Sequence, residues 1–270
     1  MINYRKGKEK IKIDEYGSLY IDYDKINPNE RPIIYIGGQM EHRCHILEQT
    51  GYTADPGHNM FDGSWFYDYS TLTKDKSNIN VQNFTKNLLD ALKQAHIGAV
   101  DLVTESYGGL IGAYASSSPL IHKVVAIHPP ILGTPLANKK LIRYAIKQLE
   151  FEYKLLAHLI NIILNDQYGF EQENKNGIYD SRIRDNTDLS KLIVVGSHID
   201  YNTEKNELIK SLYKLILKLT NKQSDGVVIF EPSELQKLGI TYIEEDTHLS
   251  HFDAGSKENI EKAKIKALKR

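Results

Sequence analysis

Two apolar patterns alternate along the chain: short unbroken runs, and longer segments in which apolar residues return every three or four positions. Ile33-Ile34-Tyr35-Ile36, Ala99 to Thr104, Lys123 to Ile127 and Leu192 to Val195 are short, rich in β-branched residues and nearly continuous, the pattern of strands covered on both faces. Each stops at a break: Gly37-Gly38, Glu105-Ser106-Tyr107-Gly108-Gly109, His128-Pro129-Pro130 and Gly196-Ser197-His198. Val81, Phe84, Leu88, Ala91, Leu92 and Ala95 have helical spacing and follow Asn78, so an amphipathic helix is predicted over 79–95 with Asn78 as its cap. A small-residue helix from Leu110 to Ser116, an amphipathic helix from Glu207 to Leu219 and a last strand from Ile240 to Ile243 continue the alternation. Strands alternating with helices predict the α/β class, with a mostly parallel central sheet flanked by helices. Before it, Lys10 to Asp14 and Ser18 to Tyr23 alternate in type around Glu15-Tyr16-Gly17 and read as a hairpin.

Three segments depart from this rhythm. Residues 39–77 carry no clear period, although Phe61 to Tyr69 is an aromatic cluster. Leu136 to Asn165 is helical in pattern but apolar on more than one side, and is too long for a core connection. A helical lid or cap insertion over 136–190 is therefore expected within a single domain spanning 1–270, and its apolar face would line a pocket for acyl chains. The tail from Lys257 to Arg270 alternates charge signs and reads as a solvated helix.

At 270 residues, one domain is long enough to bury roughly three quarters of the surface exposed by its unfolded chain without covalent or metal support. With 34 Lys+Arg against 35 Asp+Glu, the net charge of −1 argues against a general nucleic-acid or polybasic membrane surface. The 17 tyrosines have no accompanying basic groove for base stacking. Cys44 is the only cysteine, which excludes an intrachain disulfide and a thiolate zinc cluster and fits a reducing compartment. Residues 1–13 lack the continuous apolar core of a signal peptide. No run has the uninterrupted apolar length of a membrane helix, so a cytoplasmic location and no integral membrane segment are expected.

Ser106 is the candidate nucleophile. It sits where a buried strand turns directly into a helix, with Gly108 and Gly109 behind it, and such a turn holds a serine oxygen outside the sheet beside the amide donors of a helix N-terminus. A serine nucleophile needs a base and an orienting carboxylate. Asp225, in Ser224-Asp225-Gly226-Val227-Val228, and His248, after the last strand, follow in the order Ser, Asp, His. Asp225 alone would be an ordinary turn residue, and Asp200 competes with it. His251 competes with His248, since both follow the final strand.

The chain resembles the lipase-type α/β-hydrolases in Val100-Asp101-Leu102-Val103-Thr104-Glu105-Ser106-Tyr107-Gly108-Gly109, Gly133-Thr134-Pro135, Ser224-Asp225-Gly226-Val227-Val228 and Thr247-His248-Leu249. The resemblance implies an α/β-hydrolase fold with Ser106 as nucleophile, Asp225 as acid and His248 as base. It also implies an oxyanion hole from the backbone N–H groups of Tyr107 and Gln39, with Met40 as the alternative to Gln39. The sequence departs from the family pattern at Thr104, where the first glycine of G-x-S-x-G would stand, and at Gly37-Gly38, where His-Gly is usual.

The expected activity is hydrolysis of small or acyl-chain carboxylic esters through an acyl-enzyme, with no metal or cofactor. An acyltransferase, thioesterase or amidase using the same three residues, and a silent hydrolase-fold binding module, are the alternatives. His42 and His45, with Glu41 beside them, have a helical spacing that would suit a metal, but they lack an evident third ligand and read as solvated side chains. Cys44 reads as a small buried apolar residue.

Overall fold

The computed structural model describes residues 7–25, 27, 29–38, 64–69, 80–137, 176–245 and 248–269. Its strands are β1 (Lys8–Ile11), β2 (Gly17–Asp22), β3 (Ile33–Ile36), β4 (Ser64–Tyr69), β5 (Val100–Glu105), β6 (Ile121–Ile127), β7 (Leu192–Gly196) and β8 (Thr241–Glu244). The helices are α1 (Val81–Gln94), α2 (Gly108–Ala115), α3 (Ser181–Arg184), α4 (Glu207–Thr220), α5 (Pro232–Lys237), α6 (His251–Ala254) and α7 (Lys257–Leu268). All eight strands form one sheet in the order β1-β2-β4-β3-β5-β6-β7-β8. The β1/β2 and β2/β4 pairs are antiparallel and the other five are parallel. The mostly parallel sheet expected from the alternating runs is the observed architecture.

Unbroken apolar runs are needed because both faces of the sheet are covered. Ile34, Ile36, Leu102, Val124, Ala126 and Val194 join Phe84 and Leu88 of α1 and Leu110 and Ile111 of α2 in one buried cluster. Their strand neighbours Tyr35, Val103, Val125, Ile127, Ile193 and Val195 point the other way and meet Ile260, Ala263 and Ala267 of α7. The C-terminal helix is therefore a covering layer and not the solvated helix expected from its charges: a single narrow stripe at three- and four-residue spacing is enough to seat it.

Two further expectations change. The aromatic segment without a clear period contains β4, placed between β2 and β3. Trp65, Phe66, Tyr67 and Tyr69 are all buried there, so aromatic content outweighs the missing alternation. Helix α1 is capped by Asn80, whose side chain accepts from the Asn83 N–H at 2.9 Å, two residues later than the expected cap at Asn78. Most of the expected lid, residues 138–175, lies outside the described residues, as do Glu41, His42, Cys44 and His45. Among the described residues, no helix is long and apolar enough to cross a membrane.

Candidate active site

Ser106 lies immediately after β5 and just ahead of α2, with φ of +50°. Five non-glycine residues among those described have positive φ. His96, Asn221 and Lys269 follow the ends of α1, α4 and α7, a routine place for a left-handed residue. The other two, Ser106 and His128, end the neighbouring strands β5 and β6. A left-handed conformation costs an L-residue on the order of 1–2 kcal/mol, and it persists here because surrounding hydrogen bonds hold both backbones. The Ser106 N–H donates to the Ile127 carbonyl at 2.9 Å, and the His128 N–H donates to that of Val195 at 2.9 Å.

The residues behind Ser106 are small because the turn is crowded. A Cβ on Gly108 would stand 2.5 Å from the Ile36 carbonyl oxygen, and one on Gly109 would stand 2.4 Å from Pro129 Cβ. Gly112 explains how Thr104 fits where the family pattern has glycine. A Cβ on Gly112 would lie 3.0 Å from Thr104 Cγ2, so the space that β5 does not give up is supplied by the helix. Tyr107 buries its ring against Tyr69 and Phe84, while its backbone sits at the start of α2 beside Ser106. Gln39 and Met40 lie outside the described residues. The loop leading to them is anchored on both sides: the Tyr69 hydroxyl donates to the Gly37 carbonyl at 3.3 Å and the Gly38 N–H donates to Glu105 Oε2 at 3.0 Å.

The ring that meets Ser106 belongs to His251, and His248 stands elsewhere. Ser106 Oγ is 2.9 Å from His251 Nε2, and His251 Nδ1 is 2.7 Å from Asp225 Oδ2. Exposed His248 directs Nδ1 to the His198 carbonyl at 2.9 Å and lines an open cavity of about 370 Å³ with Asp200, Glu204, Phe252 and Asp253. Chain reach explains the difference. β8 is three positions from β5 in the sheet, about 14 Å at the usual strand spacing. The four residues from Glu244 to His248 would have to run almost fully stretched to carry their backbone that far, whereas the seven to His251 leave slack, and His248 accordingly stays beside the end of β7, at the His198 carbonyl. Ser250 then caps α6, its hydroxyl accepting from the Asp253 N–H at 3.3 Å, and so presents His251 in the first turn. Ser250-x-x-Asp253 is a helix-start signal in the chain that sets His251 in a first turn, though it does not by itself mark a base.

Asp225 is fully buried and all its acceptor capacity is used. Its Oδ1 accepts the backbone N–H groups of Val227 and Val228 at 2.8 and 2.7 Å, and its Oδ2 faces His251 and also Nδ1 of His128 at 2.7 Å. Asp200, the competing carboxylate, accepts from the Asn202 N–H within its own turn. Burial alone would raise Asp225, but the charges and hydrogen bonds of His251 and His128 outweigh it and hold the carboxyl well below the usual range.

His128 was not singled out from the sequence. It is fully buried, and its Nε2 lies 2.7 Å from Glu245 Oε2. Burial opposes its charge, yet hydrogen bonds to Asp225 and Glu245 bring its pKa from 6.5 up to about 9. Its proton is therefore held more tightly in the folded chain than in the unfolded one. The stabilisation this brings, on the order of 3 kcal/mol, is complete below about pH 6.5 and is lost as pH rises through 9. Asp225 acts with the opposite sign, its contribution being present at neutral pH and lost in acid. The thermal midpoint of the unsubstituted protein should fall more steeply between pH 7 and 9.5 than that of His128→Asn, as followed by circular dichroism. Parallel curves would mean that His128 does not titrate there.

His128, Asp225 and His251 bring ligand-type atoms within 4.8 Å of one another. Both imidazole-to-carboxylate separations are 2.7 Å, a hydrogen-bond length. Adjacent ligands of a tetrahedral ion bound at about 2 Å would stand roughly 3.3 Å apart. This is the geometry of a proton network and not of a metal cradle.

No protein-family model matches the chain, and no curated protein matches it in sequence. Solved structures do match in fold. A lipase from Bacillus licheniformis in its mature form is 17% identical, with 90% of this chain and 93% of that one covered at a TM-score of 0.54. A proline iminopeptidase-related protein from Thermus thermophilus is 12% identical, with 96% and 97% covered at 0.50.

Proposed function

From an α/β-hydrolase fold whose catalytic-type side chains gather at the carboxyl ends of parallel strands, we propose that the protein is a serine hydrolase of carboxylic esters. Ser106 is the nucleophile, Asp225 the orienting carboxylate and His251 the base in place of His248. The observation that carries this reading is the unbroken path from Ser106 Oγ to His251 Nε2 at 2.9 Å and from His251 Nδ1 to Asp225 at 2.7 Å.

Ionised Asp225 only accepts hydrogen bonds, so His251 carries its proton on Nδ1 and offers the Nε2 lone pair to Ser106. Nε2 takes the hydroxyl proton as Oγ attacks the ester carbonyl, then gives it to the leaving alcohol. Water adds to the acyl-enzyme with the same base, releasing the acid and restoring the Ser106 hydroxyl. The Tyr107 N–H, beside Ser106 at the start of α2, binds the developing oxyanion together with the Gln39 N–H, each worth on the order of 3 kcal/mol to the transition state. The substrates are esters of small or acyl-chain acids.

The test is covalent. Incubation of the folded protein with a fluorophosphonate should give a single adduct on Ser106 by peptide mass spectrometry, and p-nitrophenyl esters of graded chain length should be hydrolysed. Folded protein that stays unlabelled, and hydrolyses none of these esters, would sink the reading.

A further inference from the structure

His128 ends β6 as Ser106 ends β5, in the same left-handed conformation, and its side chain points into the same cluster. Asp225 therefore serves two imidazoles with one oxygen, Oδ2 lying 2.7 Å from Nδ1 of both His251 and His128. Because an ionised carboxylate has no proton to give, both Nδ1 atoms must donate. The far side of His128 then meets a second carboxylate, Glu245, at 2.7 Å from Nε2, and that contact needs a second ring proton. Glu245 is held in turn by the Ser197 hydroxyl at 3.4 Å, which also accepts the Leu249 N–H at 3.1 Å. The Phe230 ring stands 5.1 Å from the His128 ring, edge to face, and His128 is fully buried.

Resting on the ester-hydrolase reading, we propose that His128 is a positioning residue for the Ser106, His251 and Asp225 path: a buried imidazolium, clamped between Asp225 and Glu245, that orients the Asp225 carboxylate and takes up part of its charge. The groups facing it are Asp225 from the segment after α4, Glu245 after β8 and the His251 ring of α6, whose centroid is 6.3 Å away. Burial opposes a charge on His128 and the two carboxylates restore it, to a pKa of about 9.

His128→Asn separates the two roles, because its amide N–H can replace Nδ1 as donor to Asp225 while the charge is lost. Because a cation 2.7 Å from the Asp225 carboxylate is removed from beside the path, the acid limb of its kcat/KM profile on p-nitrophenyl acetate should move up by about one pH unit, with the plateau lowered several-fold. His128→Phe, which loses the donor too, should lower the plateau by roughly 10- to 100-fold. An acid limb that stays in place or moves down in folded His128→Asn overturns the inference. A second measurement uses the unsubstituted protein with 15N-labelled histidine: both His128 ring nitrogens should show protonated shifts from pH 6 to 8, and a neutral ring at pH 7 overturns the inference. This measurement does not depend on turnover. Failure of the ester-hydrolase reading shows instead as an unlabelled Ser106.

Discussion

Ser106→Ala should lower turnover of p-nitrophenyl esters by on the order of 10⁴-fold or more and abolish fluorophosphonate labelling, with circular dichroism unchanged. The loss is large because in the proposed chemistry the hydroxyl oxygen forms the acyl bond, and among the described side chains Ser106 is the one hydrogen-bonded to His251 Nε2. The fold should survive because the turn is held by backbone hydrogen bonds, Ser106 N–H to the Ile127 carbonyl and Gly109 N–H to the Ser106 carbonyl, both 2.9 Å. A companion variant checks the strain: Ser106→Gly should be as inactive but melt higher than Ser106→Ala, by about 1 kcal/mol, since glycine adopts φ of +50° without steric cost. Unchanged turnover in Ser106→Ala would remove the nucleophile from the proposed chemistry.

The second large effect separates two histidines three residues apart. His251→Ala should cost on the order of 10⁴-fold or more in kcat, while His248→Ala should stay within about twofold. Asp225 would keep His128 and the Val227 and Val228 N–H groups as partners, so its buried charge stays compensated and the His251 variant should remain folded. A steady-state comparison at pH 8 decides it. The reverse ranking would require the segment after β8 to rearrange during catalysis and would overturn the assignment.

What could be read from the chain followed from local physics. Unbroken β-branched runs ending at Gly37-Gly38, Ser106 and Gly196 mark strands buried on both faces. The abrupt passage from such a run into Gly108-Gly109 marks a turn that only small residues can follow. Two elements run against expectation for opposite reasons. In β4 residue type outweighs pattern, since Trp65, Phe66 and Tyr67 lack alternation yet are buried, whereas in α7 pattern outweighs a charge-rich composition, since Ile260, Ala263 and Ala267 suffice to seat it. Thr104 was legible as a departure, but its remedy was not, because Gly112 reaches it only across the gap between strand and helix.

The fold class, the strands other than β4, and the local turns that carry Ser106 and Asp225 are legible in the chain, since each depends on residues within a few positions of one another. Which histidine meets Ser106, and that a second one, His128, shares Asp225 with it, emerges only once the sheet is assembled. Those outcomes depend on how far a segment must travel across three neighbouring strands and on which buried charges must neutralise one another there. Neither distance nor charge balance is written in the spacing of residues 128, 225, 245 and 251; both arise when the sheet brings the ends of β6, β7 and β8 side by side.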